Sequence, residues 1–172
     1  MNAIYLTGFM GAGKTTIGRE LSRKLNLPVI DTDEFIEEKA GEEIQTIFEQ
    51  KGEQTFRTYE RIYLKQLPSE NIIITTGGGI VLQKENRDWM KKVGYVIYLH
   101  CEPDVILNRL KSDTTRPLLN ENKQEKIYQL FNERLSFYQE ADYRIDTSFR
   151  TTDEVVKIII DTVKNLSDGD NS

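Results

Sequence analysis

The residues best suited to chemistry stand near the start of the chain, where Gly8-Phe9-Met10-Gly11-Ala12-Gly13-Lys14-Thr15-Thr16 follows the apolar run Ile4-Tyr5-Leu6. Gly8, Gly13, Lys14 and Thr15 fit the spacing G-x-x-x-x-G-K-[ST], in which successive backbone N–H groups turn inward around phosphate oxygens. Glycine is required because a side chain would obstruct that approach. Lys14 can reach the terminal phosphates of a nucleotide, and Thr15 can hold Mg²⁺. The helix that starts here adds a field favourable to anions. Gly11, Ala12, Gly13, Lys14, Thr15 and Thr16 are therefore the expected phosphate-holding residues. A strand before the loop and a helix after it give the motif its proper context, so a chance glycine-rich turn is a poor account of it.

Such a loop leaves the acceptor open, since the phosphate can pass to water or to a second small molecule. Asp31-Thr32-Asp33 ends a second short strand. Two carboxylates so spaced can divide labour, one toward a metal and one toward a hydroxyl whose proton must leave. The plainer reading makes Asp33 a helix N-cap beside a solvated acid. Glu53, Arg57 and Glu60 share one helical face at spacings of four and three, which ordinary surface salt bridges would also produce. Gly77-Gly78-Gly79 is a tight turn or a place where backbone closely approaches a ligand. Asn122-Lys123-Gln124-Glu125 approaches the guanine-reading pattern N-K-x-D but ends in Glu, and no apolar strand leads into it. It reads as lid surface.

Bulk properties narrow the field. In 172 residues, 38% hydrophobic and 30% charged, there is room for one domain with a real core. The net charge of -5 argues against a nucleic-acid partner, which would need a concentrated cationic footprint. One cysteine, Cys101, cannot close an internal disulfide, and with the one histidine, His100, it cannot build a typical zinc site. Both read as structural neighbours of a strand end. No run approaches the roughly 20 apolar residues of a membrane span, and the N-terminus has no basic and apolar leader pattern. The expectation is a cytoplasmic protein with no membrane partner.

The elements that must position these residues follow from periodicity. Ile4-Tyr5-Leu6, Pro28 to Asp31, Ile72 to Thr75, Tyr95 to Leu99 and Tyr143 to Asp146 read as strands. Ile17, Leu21 and Leu25 mark a helix after the glycine loop, and a helical insertion is expected over 33–66. Further helices follow Pro103, cover 124–141, and close the domain around Val155, Val156, Ile159, Ile160 and Val163. The polar, aperiodic stretch 111–123 is expected to be a mobile lid, and 167–172 a disordered tail to a single domain over 1–166. Strands alternating with helices give an α/β fold with a parallel five-stranded sheet flanked by helices, with ligands outside the carboxyl ends of its strands.

Taken in order, GFMGAGKTT, Asp31-Thr32-Asp33, GEQTFRTYE around Arg57, Thr76 to Gly79, Arg116-Pro117-Leu118-Leu119 and Arg134 in ERLSFYQEA resemble the shikimate kinase family. The correspondence runs from residue 4 to about 150. It implies a three-layer fold like that of nucleoside monophosphate kinases, and Mg²⁺-dependent transfer of the ATP γ-phosphate to the 3-hydroxyl of shikimate by a monomer. By the same resemblance, Asp33 meets the ring hydroxyls and favours attack. Arg57 and Arg134 clamp the substrate carboxylate, and Gly77, Gly78 and Gly79 close the pocket. Lys14 and the lid residue Arg116 face the transferring phosphate, Thr15 and Asp31 serve the metal, and Arg109 and Arg150 flank the adenine. Where the family often has a proline beside the base, this chain has Phe149-Arg150-Thr151-Thr152. Another small-metabolite kinase on this scaffold, such as a gluconate kinase, and a non-catalytic nucleotide-binding module are the alternatives.

Overall fold

The computed structural model describes residues 1–112 and 121–169. Five strands, β1 (Ala3–Thr7), β2 (Val29–Asp31), β3 (Ile73–Thr75), β4 (Gly94–His100) and β5 (Tyr143–Asp146), form one sheet in the order β2-β3-β1-β4-β5. All the pairings are parallel. β1 is buried at every position, as expected of a central strand covered on both faces. The consequence for function lies at the carboxyl edge. β1 runs into the phosphate loop and β3 into the triple glycine, and these two strands are hydrogen-bonded neighbours.

Helix α1 (Lys14–Leu25) follows the phosphate loop and buries Ile17, Gly18 and Leu21. Gly18 sits where a Cβ would meet the Thr75 methyl group at 2.5 Å, so its absence lets α1 lie close on the sheet. The helical insertion comprises α2 (Thr32–Ala40), α3 (Ile44–Lys51) and α4 (Glu53–Leu64). These helices enclose their own cluster of Ile36, Ile47 and Phe56, separate from the large core around the sheet. An edge contact between Phe35 and Tyr63, with ring centroids 6.4 Å apart, lies beside the junction of the two clusters.

A 3-10 turn at Ile80–Leu82 leads into α5 (Lys84–Val93), an element that hydrophobic periodicity does not announce. The buried face of α5 consists of Asn86, Arg87 and Met90, so two of its three inward residues are polar. Helices α6 (Pro103–Ser112), α7 (Glu121–Tyr138) and α8 (Thr152–Gly169) complete the fold. Helix α8 continues through Ser167 to Gly169, into the segment expected to be disordered. Most of the expected lid, Arg116 included, lies outside the described residues. Among the described residues no helix is long and apolar enough to cross a membrane.

Candidate active site

The phosphate loop is shaped by its glycines. Gly8 adopts φ +152°, and a Cβ there would stand 2.6 Å from the Leu99 carbonyl oxygen, so only glycine lets the loop pack on the end of β4. Gly13, at φ 95°, caps α1. The Lys14 ammonium donates to the carbonyls of Gly8 at 2.6 Å and Phe9 at 2.9 Å, folded back on its own loop. Burial lowers its pKa to about 8, against the opposing pull of Asp31 and Asp33. A cleft of about 330 Å³ opens beside it, lined by Lys14, Thr15, Thr16, Asp31, Asp33, Thr76, Gly77 and Gly78.

The two aspartates exchange the roles their spacing suggests for a helix start. Asp31, not Asp33, is the N-cap of α2: its Oδ1 accepts from the backbone N–H groups of Asp33 at 2.9 Å and Glu34 at 3.3 Å. Its Oδ2 accepts from the Thr75 hydroxyl at 2.8 Å, a partner supplied by the β2–β3 register that pairs Asp31 with Thr75. Asp31 is thus a fixed carboxylate. Asp33 is released from capping, and its Oδ1 is buried with no hydrogen-bond partner among the described residues. Burial first, then the Asp31 charge, raises the Asp33 pKa to about 6, while Lys14 lowers it. A carboxylate so placed is a ready acceptor for a ligand hydroxyl proton.

Gly77 and Gly79 each make room for a side chain, and Gly78 lies in ordinary contact with a third. A Cβ at Gly77 would lie 2.5 Å from Asp33 Oδ1, one at Gly78 3.5 Å from Arg134 Nη1, and one at Gly79 2.6 Å from Arg57 Nη2. Backbone therefore abuts the carboxylate and both guanidinium groups. The Gly77 N–H donates to the Thr32 hydroxyl at 2.9 Å, and the Tyr138 hydroxyl donates to the Gly78 carbonyl at 2.5 Å. Thr32, Thr75 and Tyr138 are site-shaping residues that the sequence reading missed. In sequence, Tyr138 is one more aromatic on a helix, and the threonines acquire partners only through the sheet register.

Arg57 is held from both sides. Its Nη1 pairs with Glu60 Oε1 at 2.6 Å and its Nη2 with Glu53 Oε1 at 3.2 Å. Glu60 is 1% exposed, and burial pushes its pKa up to about 7 although Arg57 pulls it down. The other Glu60 oxygen, Oε2, and Arg134 Nε have no hydrogen-bond partner among the described residues. The Arg134 guanidinium lies 6.0 Å from the Phe9 ring centroid, on the wall shared with the phosphate loop. Two guanidinium groups beside a cleft can bind a carboxylate with paired hydrogen bonds.

On the other side of the phosphate loop a second cleft of about 290 Å³ is lined by Gly11, Ala12, Gly13, Thr16, Arg109, Thr147 and Arg150, among others. Arg109 donates to the carbonyls of Gly11 at 2.9 Å and Thr147 at 3.3 Å, joining the loop to the segment after β5. Arg150 donates to the Asp146 carbonyl at 2.6 Å. Phe149, next to it, is 89% exposed. His100 lines neither cleft; its ring bonds Tyr98 and Glu102, each at 2.9 Å, as a buried structural histidine would. The expected residues thus divide around one loop. Lys14, Thr15, Asp31, Asp33, Gly77 and Gly78 share the first cleft, Arg57, Gly79 and Arg134 border it, and Arg109 and Arg150 line the second.

Comparison with known proteins identifies the family. A family model described as "Shikimate kinase" matches residues 10–164. A curated shikimate kinase from Bacillus cereus (strain AH187) is 52% identical over 164 residues, spanning 95% of this chain and 97% of the relative. Among solved structures, shikimate kinase from Acinetobacter baumannii in complex with shikimate superposes with a TM-score of 0.86 at 37% identity, covering 96% of this chain and 94% of that one. Shikimate kinase from Aquifex aeolicus superposes with a TM-score of 0.84 at 39% identity, covering 96% and 98%. The phosphate loop, the freed aspartate, the glycine triplet between two arginines and these whole-chain matches converge: the chain belongs to the shikimate kinase family.

Proposed function

We propose that this protein transfers the γ-phosphate of ATP to the 3-hydroxyl of shikimate, giving shikimate 3-phosphate and ADP, as a step toward the aromatic amino acids. The observation that carries the reading is the glycine triplet whose members abut Asp33, Arg134 and Arg57 in turn. That arrangement offers one carboxylate for a hydroxyl and two guanidinium groups for a carboxylate, the functional groups of a hydroxy acid.

The chemistry follows from position. Arg57 and Arg134 bind the substrate carboxylate and turn the ring so that a hydroxyl meets Asp33 Oδ1. The hydroxyl oxygen attacks the γ-phosphorus, the bond to the β–γ bridging oxygen breaks, and ADP leaves. Asp33 receives the hydroxyl proton; its raised pKa, about 6, makes it a better base than a solvated aspartate while leaving it mostly ionised at neutral pH. Lys14 moves from its own loop carbonyls to the phosphates and offsets their charge. Most of the rate enhancement is positioning and electrostatics.

Thr15 and Asp31, hard oxygen donors on the wall of the same cleft, fit Mg²⁺. Bound there, the ion would neutralise phosphate charge and orient the nucleotide. Arg109 and Arg150 flank the base, and Arg116 serves the transferring phosphate, as the family resemblance implies. Dependence on ATP and a buried, unpaired Cys101 fit the cytoplasm. The test is ADP release by the purified protein with ATP and Mg²⁺, with no acceptor, shikimate or gluconate. Shikimate-dependent release is expected. Release without acceptor marks a nucleotide hydrolase, release with gluconate alone a sugar-acid kinase, and nucleotide binding without turnover a binding module.

A further inference from the structure

The two acceptor arginines come from different helices, Arg57 from α4 and Arg134 from α7, so something must fix the gap between them. The glycine triplet touches both, and Thr32 and Tyr138 hold Gly77 and Gly78 directly. The turn just beyond it is held by side chains at the start of α5. Asn86 donates to the Ile80 carbonyl at 3.0 Å, and Arg87 Nη1 donates to the Val81 carbonyl at 2.7 Å. Gln83 donates to the Arg57 carbonyl at 3.2 Å, which ties α4 to the same segment.

Arg87 reaches the other side. Its Nε bonds Glu140 Oε2 at 2.7 Å, just past the end of α7, and its guanidinium stacks at 4.5 Å from the Phe137 ring centroid. The Arg87 side chain is 10% exposed and Glu140 47%, so this is a mostly buried cation with a half-solvated partner. A buried charge of this kind is costly unless its hydrogen bonds are met. Here they are met by the turn after the glycines and by the α7 terminus. Neither cleft includes it.

We propose that Arg87 is a positioning residue for the acceptor site: by linking the Val81 carbonyl to Glu140, it joins the Tyr138 bond to Gly78 in setting the distance of Arg134 from the glycine triplet and hence from Arg57. The inference rests on the shikimate reading of the site. Loss of the link lets α7 drift relative to α4, and a bidentate clamp tolerates little drift because its hydrogen bonds are directional. The carboxylate grip should weaken while the phosphate loop, held by β1 and α1, stays as it is.

The experiment compares wild type, Arg87→Lys, Arg87→Met and Glu140→Ala with shikimate and with its methyl ester, which keeps the hydroxyls but lacks the charge. Wild-type turnover of shikimate checks the functional reading first, and its absence would overturn that reading instead of this one. Given turnover, Glu140→Ala and Arg87→Met should raise KM for shikimate about tenfold, leave KM for ATP within about twofold, and shrink the preference for acid over ester. Arg87→Lys should recover part of it. Should Arg87→Met fail to fold, Glu140→Ala decides, because it keeps the buried bonds to the turn and the stack on Phe137 and removes only the acceptor of Arg87 Nε. An unchanged acid-to-ester preference in Glu140→Ala, or equal rises in KM for ATP and shikimate, would overturn the proposal.

Discussion

A Cβ on Gly79 would stand 2.6 Å from Nη2 of Arg57, although the Gly79 backbone itself is at an ordinary φ of -93°. The requirement for glycine here is thus purely one of space for the guanidinium. Gly79→Ala should push Arg57 off its pairing with the buried Glu60, costing about 3 kcal/mol of stability although no strained backbone is involved, and raise KM for shikimate by about tenfold or more. Thermal melting and steady-state kinetics on one preparation measure both; a large loss of Tm with unchanged KM contradicts this account.

Arg57 and Arg109 sit on opposite sides of the phosphate loop, so their loss should separate cleanly. Arg57→Ala is expected to raise KM for shikimate by about a hundredfold, the loss of a charge-assisted bidentate contact, with nucleotide affinity nearly intact. Arg109→Ala should do the reverse, weakening ATP several-fold through the freed Gly11 and Thr147 carbonyls. Calorimetric titration of ADP and of shikimate into each variant tests the division. Parallel losses of both ligands would mean that the two clefts are not independent.

Asp33 sets function against stability. Its pKa is raised in the fold from 3.8 to about 6, so the native state binds more protons than the unfolded chain between those values. Stability therefore falls as pH rises from about 4 to about 6, and the full penalty persists above that. Asp33→Asn removes the penalty. In metal-free buffer the variant should be more stable than wild type at pH 7.5, by on the order of 3 kcal/mol, with the advantage vanishing near pH 4. Its kcat should drop by a factor of about 10² to 10⁴, the usual contribution of a general base. Melts across this range check the first part, and turnover the second.

Lys14 carries the opposite sign. Burial lowers its pKa to about 8, so in the free protein the ammonium loses its proton as pH climbs past that value. Nucleotide phosphate favours the charged form. Binding above pH 8 must then take up a proton, and ADP affinity should fall by up to about tenfold per pH unit between 8 and 10. Lys14→Met should bind weakly at every pH and lose this slope. A flat affinity profile for wild type would place the titration elsewhere.

Much of this architecture is legible in the residues. The glycine loop between Leu6 and Ile17, the alternation of apolar runs with helical periods, and the carboxylates and glycines at strand ends are local signals that survive without tertiary information. What was hidden depends on tertiary partners. Helix α5 buries Asn86 and Arg87, polar residues whose inward face makes sense only once the carbonyls of Ile80 and Val81 are beneath them. Asp31 takes the N-cap because the register with β3 sets Thr75 against its second oxygen, a distance of 44 residues in sequence. Tyr138 reaches Gly78 across 60 residues. No window of sequence spans such pairs.

The separate cluster of Ile36, Ile47 and Phe56 has a consequence for how the molecule tolerates change. A volume change at Ile47 is absorbed among α2, α3 and α4, where the sheet beneath the nucleotide does not feel it directly. The packing that carries Arg57 is thereby partly insulated from the packing beneath the phosphate loop, while Arg134 and the glycine triplet keep the rest of the acceptor site tied to the sheet.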